Sequence, residues 1–135
     1  MNIRHTGLLA LLLLGLCNSA YAQHTFSIVA VDPSTGEIGS AGATCIGAED
    51  GALVISDIVL GVGAIHTQSF WNPNNQINAR NRMLAGDTPQ QIIDWLQQND
   101  VNKDPSARQY TAITLNDGTP LTSGFTGPAC FREFK

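Results

Sequence analysis

A turn sequence at residues 32–36 constrains the fold of this chain most, because it separates two segments with the character of β-strands. Thr25–Val31 is rich in β-branched and aromatic residues, and residues 37–46 continue as a second extended segment. Within the turn, Pro33 presets φ, the Asp32 side chain can bond the backbone ahead of it, and Gly36 accepts a positive φ. The pattern predicts an antiparallel hairpin.

The middle of the chain changes from strand to helical patterns. Residues 52–58 and 59–68 are predicted to form two strands, or one strand bent at Gly61. Apolar residues at helical spacing predict a helix over residues 75–85. Thr88 followed by Pro89 is a strong helix start, and this second helix is predicted to end near residue 99.

A second hairpin is predicted near the end of the chain. The tight turn at residues 116–118 contains Asp117-Gly118, which readily supplies positive φ, and it joins strands at residues 108–115 and Thr119–Thr126. The resulting order is ββββ-αα-ββ. This order favours an α+β fold with largely antiparallel sheet over a doubly wound parallel fold.

The N-terminus has the pattern of a cleavable secretory signal peptide. Arg4 precedes an apolar run at residues 8–16. Such a run is too short for a membrane span of roughly 20 residues but suits a signal-peptide core of about 7–15 residues. Small residues at Ala20 and Ala22 predict cleavage after Ala22. The alternatives are an uncleaved membrane anchor and a lipoprotein processed at Cys17.

Export defines the predicted domain organisation. Residues 1–22 are the signal peptide and residues 23–135 form one small domain, which is secreted or periplasmic and has no stable membrane anchor. The sequence has a net charge of −4 and no cluster of Lys and Arg residues, so we expect no binding of nucleic acid through its phosphates. In an oxidising compartment Cys45 and Cys130 either form a disulfide or remain two unrelated buried thiols.

Few residues have the pattern of a catalytic or ligand site. The sequence has no metal-ligand spacing, no phosphate loop and no cofactor motif, so we expect neither metal nor cofactor. His66 stands alone in an apolar strand, where a structural role is favoured over a ligand role. Thr25 and Ser27 follow the predicted cleavage site, and an N-terminal Ser, Thr or Cys can use its own α-amine as a catalytic base. The alternative is that both are ordinary strand residues.

Several stretches, in order along the chain, resemble a bacterial family of uncharacterised proteins, the domain of unknown function 1028. The matching stretches are residues 25–33, 35–39, 61–64, 67–68, 78–86, 89–96, 108–110, and 126–127 with Cys130. The resemblance covers nearly all of residues 25–130. It implies membership of the N-terminal-nucleophile hydrolase superfamily, whose fold is a four-layer αββα sandwich and whose enzymes cleave amide bonds.

The resemblance implies Thr25 as the nucleophile of a peptide or cell-wall amide hydrolase. Asp32, Asp57, His66 and Gln68 are lesser candidates for polar support, with turn capping and solvated strand faces as the alternative. Two departures oppose this reading. Cleavage after Ala22 leaves Gln23 and His24 ahead of Thr25, so the free α-amine does not belong to Thr25. Gln23 can also cyclise, which removes the α-amine altogether. The tail at residues 131–135 does not resemble the family, so we expect an incomplete, truncated sandwich.

Three functions therefore remain open from the sequence. The first is an exported hydrolase-like domain that acts on amides. The second is a non-catalytic secreted binding or structural domain, for which the loop with Phe70 and Trp71 is a candidate contact surface. The third is a non-functional remnant. Association of the chain with copies of itself, as a homo-oligomer, is a further alternative.

Overall fold

A computed structural model describes residues 25–45 and 50–130. The predicted signal peptide, its cleavage site and the tail after residue 130 lie outside the described residues. Within them the order of elements is four strands, two helices and two strands, as predicted. The bounds are β1 Thr25–Val31, β2 Ile38–Thr44, β3 Ser56–Val59, β4 Gly63–Gln68, α1 Pro73–Leu84, α2 Pro89–Gln98, β5 Gln109–Asn116 and β6 Thr119–Thr126.

The strands form two antiparallel sheets. One is the β1–β2 hairpin, and the other has the order β3-β4-β5-β6. The first turn forms as its sequence predicts, since the Asp32 carboxylate accepts from the Ser34 backbone N–H at 2.8 Å and Gly36 has a φ of 75°. The second turn places Asp117 and Gly118 at φ values of 48° and 78°.

The two helices begin at side-chain caps. Asn72 caps α1, and Thr88 with Gln91 forms a capping box at the start of α2. Their apolar faces pack on the four-stranded sheet and form the main core. Its buried residues are Val59, Ile65, Ala79, Met83, Ile92, Ile93, Leu96, Tyr110 and Ala112.

The hairpin lies on the opposite face of the same sheet. In β4, Ile65 points into the helical core while its neighbours His66 and Ala64 point the other way, because successive strand residues alternate between faces. β1 packs against β4 and β5. The described residues thus form a helix layer, a four-stranded layer and a two-stranded layer. The predicted α+β class with antiparallel sheets is confirmed.

One predicted strand is partly wrong. Residues 52–58 were predicted to be extended, but Gly51–Ile55 forms a 3-10 helix and only Ser56–Val59 is strand. Gly51 has a φ of 51°, which turns the backbone away from an extended path. The break at Gly61, with a φ of 73°, separates β3 from β4, so the two-strand alternative is the one observed.

Candidate functional site

A polar interface lies between the β1–β2 hairpin and β4. His66 and Gln68 are two positions apart in β4, so both lie on the face that meets the hairpin, and both are buried. The hairpin presents hydroxyl side chains to them. This interface contains three of the five residues predicted to be functional, which are Thr25, His66 and Gln68.

Thr25 and Gln68 meet at one end of the interface. Thr25 is 5% exposed, and its hydroxyl lies 2.7 Å from that of Thr44 on β2. The Gln68 side chain accepts from the Ser27 hydroxyl at 2.8 Å. Its amide nitrogen donates to the Thr25 carbonyl at 3.4 Å and also to the Gln109 side chain. Thr25 is therefore held at the start of β1 by neighbours on two strands, Thr44 on β2 and Gln68 on β4.

His66 belongs to a second cluster. Its Nε2 lies 2.7 Å from the hydroxyl of Ser40 on β2, and that hydroxyl lies 2.8 Å from the hydroxyl of Ser56 on β3. His66 is 1% exposed, and its Nδ1 has no hydrogen-bond partner within the described part of the chain. Burial lowers the pKa of His66 below its ordinary value. The imidazole is therefore favoured in its neutral form, which can accept a proton.

The two clusters are separate. Ser40 pairs with Val29 in the hairpin register, which is four positions along β1 from Thr25. At roughly 3.3 Å per strand residue this is about 13 Å. The Ser40 hydroxyl therefore lies out of hydrogen-bond reach of Thr25, although His66 and Gln68 are only two positions apart on β4.

The structure places the two predicted aspartates away from both clusters. Asp32 is exposed in the turn at the far end of β1, where hydrogen bonds from the side chain and backbone of Ser34 lower its pKa. Asp57 forms an ion pair with Arg80 of α1, on the helical side of the sheet. Turn capping and an ion pair account for the contacts that these two carboxylates make.

The cysteines and the aromatic loop lie elsewhere. Cys45 is exposed and Cys130 is half-buried, and no disulfide joins them in the described structure. The Cys130 sulfur accepts from the Ser69 hydroxyl at 3.1 Å. Phe70 and Trp71 are both exposed.

Sequence reasoning missed several polar neighbours. The residues that complete the interface are Ser40, Thr44, Ser56 and Gln109, and none of them lies in a recognisable motif. Of the polar neighbours of Thr25, His66 and Gln68, only Ser27 was identified from the sequence, because it follows the predicted cleavage site. A register drawn from the first turn would have placed Ser40 on the same face as Ser27, because Ser40 pairs with Val29, and Val29 is two positions from Ser27 and therefore on its face.

The described residues contain neither a membrane-spanning helix nor a metal-ligand group. No helix in residues 25–45 or 50–130 has the length and apolar character needed to cross a membrane. Within the same ranges, no three His, Cys, Asp or Glu side chains are grouped so that they could hold a metal ion.

Comparison with known proteins identifies relatives of the chain. The model of a family of unknown function, DUF1028, matches residues 25–135. The crystal structure of protein SPO2555 from Silicibacter pomeroyi, a DUF1028 protein, superposes with a TM-score of 0.64 at 26% sequence identity. That match covers 80% of this chain and 47% of the other, so the chain spans about half the length of that structure. No curated protein matches the chain.

Proposed function

The chain belongs to the DUF1028 family, whose function is unknown, and we propose that this protein is an exported amide-bond hydrolase with Thr25 as its nucleophile. The observation that carries this proposal is the position of Thr25. It is buried at the first position of β1, and its hydroxyl and carbonyl are both held by neighbouring side chains. Export follows from the signal-peptide pattern of residues 1–22.

The reaction needs a free α-amine on Thr25. That amine, with an unperturbed pKa of about 7.7–8.0, takes the hydroxyl proton as the Thr25 oxygen attacks an amide carbon. The C–N bond then breaks, and the amine that leaves takes the proton back from the Thr25 ammonium. Water hydrolyses the resulting ester and restores the hydroxyl.

Neighbouring side chains fix the orientation of Thr25. The Thr44 hydroxyl fixes the direction of the Thr25 hydroxyl, and Gln68 holds the backbone of the same residue. Both contacts reduce the freedom that the nucleophile must lose in the reaction. Gln68 is in turn held by Ser27, so it acts here as a positioning residue.

Processing decides whether this chemistry operates. Cleavage after Ala22 leaves Gln23 and His24 on the chain, and the α-amine then belongs to Gln23. The proposal therefore requires cleavage between His24 and Thr25, directly or by later trimming. The first measurement is the mature N-terminus of the exported protein by mass spectrometry. A start at Thr25 supports the proposal, and a start at Gln23 as pyroglutamate rules it out for that form.

Amide hydrolysis by the processed protein is the second test. On a panel of peptides and cell-wall amides, Thr25→Ala is expected to reduce the rate by about 10³-fold or more, because the variant has no nucleophile. Thr25→Ser keeps the hydroxyl and is expected to retain activity. Thr122→Ala, at an exposed position of β6, is the matched control. Equal rates for Thr25→Ala and wild type would contradict the assignment.

One observation favours a second candidate function, the binding of an apolar segment of another protein. Phe70 is exposed although its backbone is fixed, since its carbonyl accepts from Arg108 and its φ is 68°. Trp71 is also exposed, and its indole donates to Gln76 at 3.2 Å. A rigid exposed aromatic pair loses little entropy on binding. Weaker capture of an apolar peptide by Phe70→Ala, but not by Leu60→Ala, would support this function.

A further inference from the structure

Ser40, His66 and Ser56 form a continuous line of hydrogen bonds on three different strands. Ser40 carries one hydroxyl proton, and its oxygen has contacts of 2.7 Å to His66 Nε2 and 2.8 Å to the Ser56 oxygen. The arrangement in which Ser56 donates to Ser40 and Ser40 donates to Nε2 uses each proton once. In that arrangement His66 Nε2 is a free base directed at the Ser40 hydroxyl.

The Ser40 hydroxyl is accessible from solvent. Ser40 and Ser56 line a surface cleft of about 690 Å³ together with Leu53 and Ile58. Ser40 is exposed, whereas the His66 ring beneath it is buried. The cleft thus presents a nucleophilic oxygen beside two exposed apolar side chains, and its base is shielded from water.

We propose that Ser40 and His66 form a nucleophile–base pair that accepts the acyl group of an activated carboxylic ester. This site goes beyond the proposed amide hydrolysis and does not depend on it. It needs no free α-amine, and it lies on β2 and β4 about 13 Å from Thr25 along the hairpin.

The step balances with the groups present. The Ser40 oxygen forms a bond to the ester carbon as its proton passes to His66 Nε2. The bond from that carbon to the leaving oxygen then breaks, and the leaving group departs with its electron pair and takes the proton. In the second half, water attacks the ester carbon of the acyl-serine and passes one proton to His66 Nε2. The bond from that carbon to the Ser40 oxygen then breaks, the carboxylic acid leaves, and His66 returns the proton to the Ser40 oxygen.

The geometry of His66 selects esters with good leaving groups. Its Nδ1 is buried and has no partner among residues 25–45 and 50–130, so no carboxylate in these ranges stabilises the imidazolium that forms during the reaction. An amide nitrogen leaves only when it is protonated, which requires a strong imidazolium acid held in place. A phenolate leaves with little assistance. Leu53 and Ile58 favour an apolar acyl chain in the cleft.

The test uses the full chain and the serine-reactive probe diisopropyl fluorophosphate. Attack by the Ser40 oxygen on phosphorus releases fluoride and leaves a phosphoryl mass, which fragmentation mass spectrometry of the digested protein is expected to locate on Ser40. Because residues 1–24 remain attached, Thr25 has no free amine in this form, and labelling is expected regardless of the fate of the amide-hydrolase proposal. Loss of amidase activity with retained Ser40 labelling would reject only the Thr25 site.

Matched variants make the test specific. Ser40→Ala is expected to abolish both the label and the hydrolysis of p-nitrophenyl butyrate. His66→Gln is expected to slow both by about 10²–10⁴-fold, the usual contribution of a general base. Ser123→Ala, a serine of β6 that bonds only Gln90 among the described contacts, is expected to behave as wild type.

Two results would overturn the proposal. One is equal ester hydrolysis by Ser40→Ala and wild type, and the other is a label spread over several serines without preference for Ser40. Ser40 is exposed, so its alanine variant is expected to fold. The proposal therefore remains falsifiable even if His66→Gln, which alters a buried residue, does not fold.

Discussion

Asp100 and Arg108 form a buried ion pair that joins the segment after α2 to the start of β5. Arg108 Nε donates to the Asp100 carboxylate at 2.8 Å, and both side chains are buried. Asn75 of α1 donates to the same carboxylate at 2.6 Å, and Tyr110 donates at 3.2 Å. Three separate segments thus depend on one carboxylate.

Removing Arg108 is expected to destabilise the protein strongly. Arg108→Ala leaves the Asp100 charge buried without its cation, which costs about 3–5 kcal/mol in free energy of unfolding. Arg80→Ala is the matched control, because Arg80 pairs with Asp57 near the surface and such pairs contribute about 1 kcal/mol or less. Urea unfolding followed by circular dichroism measures both values. Equal losses in the two variants would contradict this account.

The Asp100 carboxylate also makes the free energy of unfolding depend on pH. Burial alone would raise the pKa of Asp100, but hydrogen bonds from Arg108, Asp104, Asn75 and Asn102 outweigh it and hold that pKa well below 3.8. A carboxyl whose pKa is lowered by folding stabilises the protein above the unfolded-state pKa, and this stability is lost as the pH falls below it. The urea midpoint of the wild type is therefore expected to fall as the pH drops below about 4.

Asp100→Asn tests this origin of the acid dependence. The variant is expected to be less stable near neutral pH, because Arg108 then lacks an anionic partner. Below about pH 4 its unfolding free energy is expected to change less steeply with pH than that of the wild type, by up to about 1.4 kcal/mol per pH unit. Parallel curves for the two proteins would assign the acid dependence to other carboxyls.

At the scale of elements, local sequence predicted most strands and both helices. Thr25–Val31 and Thr119–Thr126 were predicted with the bounds that the structure shows, because turn residues stand at their ends. The start of α2 was predicted from its capping residues, which the structure confirms. The 3-10 helix Gly51–Ile55 was missed, since a short apolar run is compatible with either strand or helix until its packing is known.

The close pairing of β4 with β5 requires a glycine at position 63. A Cβ built on Gly63 would lie 2.2 Å from the Ile113 carbonyl oxygen, a backbone atom that cannot move without breaking the ladder. Gly63→Ala is therefore expected to cost about 3 kcal/mol or more, at the upper end of point substitutions. Gly39→Ala in β2 meets nothing within 4 Å and is expected to change stability by less than about 1 kcal/mol.

Thermal unfolding of the two glycine variants measures this difference. The expected order of melting temperatures is Gly39→Ala close to wild type and Gly63→Ala far below it. A Gly63→Ala protein as stable as the control would show that β4 and β5 are farther apart than described.

At the scale of the whole molecule, the candidate site was the part that sequence reasoning could reach least. Thr25, His66 and Gln68 were predicted singly, and nothing local shows that β1 crosses the β4 face on which His66 and Gln68 lie. Ser40 and His66 are 26 positions apart in the chain and meet only when the hairpin packs on the second sheet. Such contacts depend on strand order and on layer packing, which a single sequence with no long-range signal does not determine.

The outer face of the hairpin is apolar and exposed. Phe26 is 70% exposed and Ile28 is 66% exposed, and their register partners Ala43 and Ala41 are exposed beside them. β2 also has an unpaired edge within the described sheets. Contiguous apolar surface next to an open strand edge promotes association between chains. We therefore expect the mature chain to associate as its concentration rises.

Replacing both large side chains tests this expectation. The double variant Phe26→Thr and Ile28→Thr keeps β-branched residues in the strand and removes most of the apolar patch, so light scattering should report weaker association. Its free energy of unfolding should change by about 1 kcal/mol or less, because exposed side chains contribute little to the core. Leu60→Thr is the control, since Leu60 is 89% exposed but lies alone in the β3–β4 turn. If the control reduces association as much as the double variant does, the hairpin face is not the surface that associates.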